Sequence, residues 1–135
     1  MKFAKGVFWS AGTWGVLVMT AFYFMFDRVG SQYPPSITHP EFYYGFAGIT
    51  LAWQFAFLMI ATDPARYRLM IIPSVIEKFG YVGTLLVLYL QGRLNPGQLL
   101  FSGTDLTLGV LFVIAFFKTR PDLGLEAGEL THIRR

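Results

Sequence analysis

Glu77 and Lys78 stand side by side in an otherwise apolar stretch, IIPSVIEKFGYVGTLLVLYL, from Ile71 to Leu90. An acid and a base set in so greasy a run point to three kinds of work. They could clamp neighbouring helices through hydrogen bonds, form the polar base of a cavity for a lipid, quinone or small molecule, or carry a proton. Neighbours at i and i+1 on a helix point roughly 100° apart, so Lys78 is not automatically the partner of Glu77. Ser74 and Tyr81, three back and four on, share the Glu77 face. A carboxyl that finds no strong partner in such surroundings tends to keep its proton.

Other polar side chains fall at the same height when depth is counted at about 1.5 Å per residue. From the edge at Ile71, Glu77 lies about 9 Å deep and Lys78 about 10 Å. Gln54, counted back from Ala61 in the preceding apolar run, is also about 10 Å deep, and Thr13 and Trp14, counted from Val7, match it. Glu77, Lys78, Gln54, Thr13, Trp14 and Tyr81 therefore form the expected polar layer and ligand-facing set. Lys78 has a second reading: its side chain leans toward the helix N-terminus, so its ammonium can snorkel to the headgroups.

Other chemistries find no residues. The chain has no cysteine and two histidines, His39 in a connection outside the spans and His132 in the tail, so a bis-histidine haem pair inside the bundle is not available. No Glu-x-x-His pattern suggests a di-iron centre and no glycine-rich loop suggests a nucleotide. No catalytic residue, metal ligand or cofactor is assigned, and His39 and Asp105 read as a solvated loop residue and a helix cap.

The elements that position the layer follow from composition. Of 135 residues, 54% are hydrophobic and only 14% charged, against about 25% charged in a soluble domain. Lipid is the solvent this implies. The net charge of +3 comes from basic residues scattered at segment ends, which suits a membrane surface and excludes a nucleic-acid stripe. A membrane-crossing helix needs roughly 20 apolar residues. Val7–Phe26 and Phe42–Ala61 supply them without a charge. No small-x-small cleavage pattern follows the first run, so it reads as a retained helix.

The third span runs over about 68–90 and the fourth over about 103–118, the latter led by Ser102 and Asp105 in a capping pattern. The expected fold is all-α, an antiparallel bundle of four transmembrane helices over residues 1–120 with a tail at 121–135. Thr38 and Glu41 repeat the capping pattern before the second span. Asp63 and Pro64 read as the start of the third, closing a tight antiparallel hairpin with the second. Pro73 is expected to kink the third span one turn before Glu77.

Lys2, Lys5, Arg66, Arg68, Lys118, Arg120, Arg134 and Arg135 fall on one side of this arrangement, Arg28 and Arg93 on the other. The positive-inside rule then places both termini in the cytoplasm of a bacterial inner membrane. Arg66 and Arg68, flanking Tyr67, suit a lipid headgroup. Gly6 with Ser10, Ala11 with Gly15, Gly48 with Ala52, and Gly80 with Gly83 offer small faces for close packing within the chain, or for a homodimer seam.

The turn D-P-A-R-Y-R (Asp63, Pro64, Arg66, Tyr67, Arg68) and the E-K pair within the next helix resemble small uncharacterised bacterial inner-membrane proteins, including DoxX-like ones. The likeness is strongest over about residues 45–90. Because DoxX-like proteins are variously associated with membrane redox complexes, the resemblance implies an accessory or assembly subunit whose partners are the bilayer and another membrane protein. It carries no catalytic residues. The alternatives are a lipid-, quinone- or small-molecule-binding protein and a minimal proton-coupled transporter using Glu77. Four-helix exporters place their essential carboxylate in the first helix, where this chain has none.

Overall fold

The computed structural model describes residues 1–33 and 35–120. The tail at 121–135, with Arg134, Arg135 and His132, lies outside the described residues. Every regular element among the described residues is helical: α1 (Lys2–Tyr23), α2 (Phe26–Gln32), α3 (Pro40–Thr62), a 3-10 turn (Arg68–Met70), α4 (Ile71–Leu90), α5 (Pro96–Leu100) and α6 (Ser102–Lys118). Three segments, Pro40–Thr62, Arg68–Leu90 and Pro96–Lys118, are long and apolar enough to cross a membrane, each with 23 residues. At about 1.5 Å per residue, 23 residues reach roughly 34 Å, enough for the hydrocarbon core. The pair α1 and α2, bent by 82° at the break between them, is a fourth if the two are counted as one span.

Helix α1 stops at Tyr23, short of Phe26, and α2 leaves nearly at right angles. Helix α3 begins at Pro40, a residue suited to a first helical position. No side chain caps it: Glu41 pairs with exposed His39 instead, so the pattern at Thr38 and Glu41 does not act as a cap. Asp63 does bond forward, its Oδ1 accepting from the Arg66 amide at 3.2 Å. That bond closes a turn, and the α-helix starts only at Ile71. Pro73 consequently sits in the first turn of α4, where amides have no intrahelical acceptor anyway, and α4 continues unbroken to Leu90.

The packing partners differ from those expected of consecutive spans. Helix α3 lies along α1, α4 lies along α6, and α1 joins the two pairs through α6, whereas α3 and α4 barely meet. The tight hairpin of second and third spans is therefore not formed. The reason lies in the seams. Gly12 and Gly15 let α3 approach α1 so closely that a Cβ on Gly12 would stand 2.7 Å from Leu58, and one on Gly15 would run into the Gln54 side chain. Tyr23 continues the seam against Gly48. No described residue stands within 4 Å of where a Cβ would be on Gly6, Gly80 or Gly83, so those glycines seat none of the described helices.

The core gathers at one end of the molecule. Phe8 of α1, Phe57 of α3 and Phe112 of α6 are fully buried, with Ile60, Ala61 and Ile71 around them. Phe8 and Phe112 stack at 4.4 Å, and Phe57 meets Phe112 nearly edge-on at 5.0 Å. Basic residues ring this end. The Arg68 guanidinium lies 3.8 Å from the Phe116 ring centre and donates through Nε to the Phe116 carbonyl, and the Lys118 ammonium lies 4.6 Å from the Phe3 ring. The opposite end carries an aromatic stack in which Phe22 and Phe26 pack on Tyr43 and Tyr44.

Candidate functional site

Lys78 is the chemical centre of the molecule. It is 4% exposed, and its Nζ donates to Asp105 Oδ1 of α6 at 2.6 Å. Glu77 closes the group from the other side, Oε1 accepting from the same ammonium at 3.4 Å and Oε2 lying 3.2 Å away. Oε2 is off the hydrogen-bond direction and buried without a hydrogen-bond partner. Phe57 of α3 presents its ring 5.4 Å from the ammonium, adding a cation–π contact. Three helices thus meet at one charged side chain.

The level of this group follows from the antiparallel course of α4 and α6. Lys78 is the eleventh residue of Arg68–Leu90 and Asp105 the tenth of Pro96–Lys118, so both lie near the middle of their 23-residue segments. Gly109, one turn after Asp105, leaves room for the α4 side chains: a Cβ there would be 3.2 Å from Phe79 and 3.3 Å from Lys78 Cβ. The glycine brings α6 close enough for a short aspartate to reach the lysine.

Lys78 therefore does not snorkel to the headgroups. A snorkelling lysine reaches for water because nothing nearer balances its charge, and here Asp105 does so at 2.6 Å. Asp105 in turn is not a cap: α6 has no side-chain cap, and the Ser102 hydroxyl donates backward to the Leu99 carbonyl. Asp105 is the residue missing from the layer read in the sequence. Its signal was present, as the single acid of the last apolar segment, but the serine three residues earlier offered a competing local explanation.

The remaining expected members divide. Gln54 is buried, but its Nε2 donates to the Thr50 carbonyl at 2.9 Å and its side chain rests on Gly15, so it serves the α1–α3 seam. Tyr81 stacks on Phe46 of α3, ring centres 6.0 Å apart. Ser74 is fully buried and donates to the Met70 carbonyl. Thr13 is exposed and Trp14 is 61% exposed, both on the surface of α1. The structure brings Glu77 and Lys78 together, adds Asp105 and Phe57, and leaves Thr13 and Trp14 outside. Of the headgroup pair, Arg68 folds onto α6 and Arg66 stays exposed, 5.6 Å from the Tyr67 ring.

Chemically, two carboxyl groups around one ammonium form a compact ionic clasp with one acid more than it has bases. Among the described residues no group of three or more histidine and acidic side chains is placed to hold a metal ion. A shallow groove of about 160 Å³ on the α4–α6 face is lined by Ile72, Val75, Ile76, Val113 and Phe116, all apolar. Comparison with protein-family profiles, with curated proteins and with solved structures finds no match to this chain.

Proposed function

We propose that this chain is an accessory or assembly subunit of a membrane complex in the bacterial inner membrane, built as an antiparallel bundle of four spans with both termini in the cytoplasm. The observation that carries the reading is the way the charged triad closes on itself. Lys78 takes both carboxylates, and Gln54 and Ser74 bond within their own helices. The charged cluster ties α4 to α6, and Gln54 and Ser74 are satisfied within their own helices, an arrangement that suits a scaffold.

The outer surface supports the same reading. Large apolar side chains project from α4 and α6, including Ile76, Leu86, Leu90, Val110 and Phe117, and lipid or a neighbouring membrane helix would cover them. The gathering of Lys2, Lys5, Arg66, Arg68, Lys118 and Arg120 at one end supports a cytoplasmic placement of that end. The likeness of the D-P-A-R-Y-R turn and E-K pair to DoxX-like proteins suggests a redox complex as the larger assembly.

The test is deletion of the chain followed by native separation of membrane complexes. The expected outcome is that one larger complex loses its assembled form and regains it when the chain is restored, with the chain present in it at fixed stoichiometry. A chain that migrates alone while every complex assembles normally would overturn the proposal.

A further inference from the structure

We infer that the Glu77–Lys78–Asp105 cluster is a proton-binding site in which one of the two carboxyl groups carries an exchangeable proton. The argument starts from charge and place. With both acids ionised the cluster would carry one net negative charge near the middle of two 23-residue apolar segments, where an unbalanced charge is costly. One proton taken from water, converting one carboxylate to a carboxylic acid, makes the cluster neutral and leaves one ammonium facing one carboxylate.

Among the described residues nothing else nearby balances the second acid. On α6 the other ionisable side chain is Lys118, at the far end of the helix, and on α4 they are Tyr81, whose ring packs on Phe46, and Tyr89, eleven residues beyond Lys78. Helix α3 presents the Phe57 ring to the ammonium, and α1 has no acidic or basic residue between Lys5 and Tyr23. Geometry assigns the roles. Asp105 has the short 2.6 Å bond and acts as the counter-ion, while Glu77, at 3.2 to 3.4 Å with Oε2 unbonded, takes the proton. Side-chain exposures of 20% at Glu77 and 22% at Asp105 leave neither carboxyl fully enclosed by the protein.

The inference is independent of the accessory role. It is tested on the full chain in dodecyl maltoside micelles, whose detergent has no carbonyl, at neutral pH, by infrared absorption of the carboxylic acid C=O stretch and its shift on transfer to D2O. Wild-type protein should show one such band. Glu77→Gln should abolish it, because Asp105 then neutralises Lys78 alone, and Asp105→Asn should abolish it too, because Glu77 becomes the sole counter-ion. Lys78→Gln should double it. A wild-type spectrum without the band, or a band that survives in both single-acid variants, overturns the inference. The two acid variants decide the question by themselves where Lys78→Gln does not accumulate.

Discussion

The two helix pairs of this protein are held by opposite means. Between α1 and α3 the contact is made of absence: Gly12 and Gly15 remove side chains so that Leu58 and Gln54 can lie against bare backbone. Between α4 and α6 Gly109 also opens the way, but the contact itself is made by charge, through Lys78 and Asp105. Lipid tails are as apolar as leucine, so burial of apolar surface gives little drive for either pair. The chain shows both remaining routes side by side, close approach over small residues and polar contact in a medium without water.

The difference can be broken in order of expected effect. Lys78→Met leaves two acids without a base, and removing one partner of a buried ion pair costs about 3–5 kcal/mol. Unfolding in mixed micelles should report it as early loss of α4–α6 contact, and a near-wild-type curve would show that the clasp contributes nothing. Gly15→Leu attacks the other pair by overpacking, which costs about 1–3 kcal/mol. Crosslinking between cysteines introduced on α1 and α3 should fall while α4–α6 crosslinks persist; equal losses in both pairs would mean that they are not separate units.

Two smaller substitutions sharpen the contrast. Gly80→Ala and Gly83→Ala meet open space, so relief of glycine's helix penalty should stabilise α4 by about 0.5–1 kcal/mol each. A destabilising result in a thermal melt would show that something packs on that face, as a homodimer seam would. Tyr43→Phe removes the 2.6 Å bond from the Tyr43 hydroxyl to the Phe22 carbonyl, for which about 0.6 kcal/mol is typical inside membranes. Helix α1 should then fray earlier in hydrogen exchange at Phe22 and beyond, with α4 and α6 unchanged.

Much of the architecture was legible because lipid imposes length on apolar runs. The all-helical class, the segment near 42–61 and the placement of Glu77 and Lys78 inside a span all follow from counting residues. Partnership was not legible in the same way. Gly15 and Gly83 look alike in sequence, and only the arrival of Gln54 at one and of nothing at the other tells them apart. Asp105 was misread for a related reason: a local pattern, serine three residues before an acid, competed with a contact 27 residues away that no spacing rule specifies. Thr13 and Trp14 matched the layer in depth but not in direction, since depth is read from a count while direction depends on which helix lies beside α1. The short helix α5 had a readable signal that went unused, Asn95, Pro96 and Gln98 as cap, first position and reciprocal partner, and both bonds of that capping box are formed.

The bend between α1 and α2 rests on two residues, Phe24 and Met25, between Tyr23 and Phe26. Each residue of a helix advances its direction by about 100°. One residue added there would swing α2 about a quarter-turn around the α1 axis and carry Phe26 away from its stack on Tyr44. The bearing on which the connection to α3 departs is therefore a matter of phase, counted in residues at a two-residue joint.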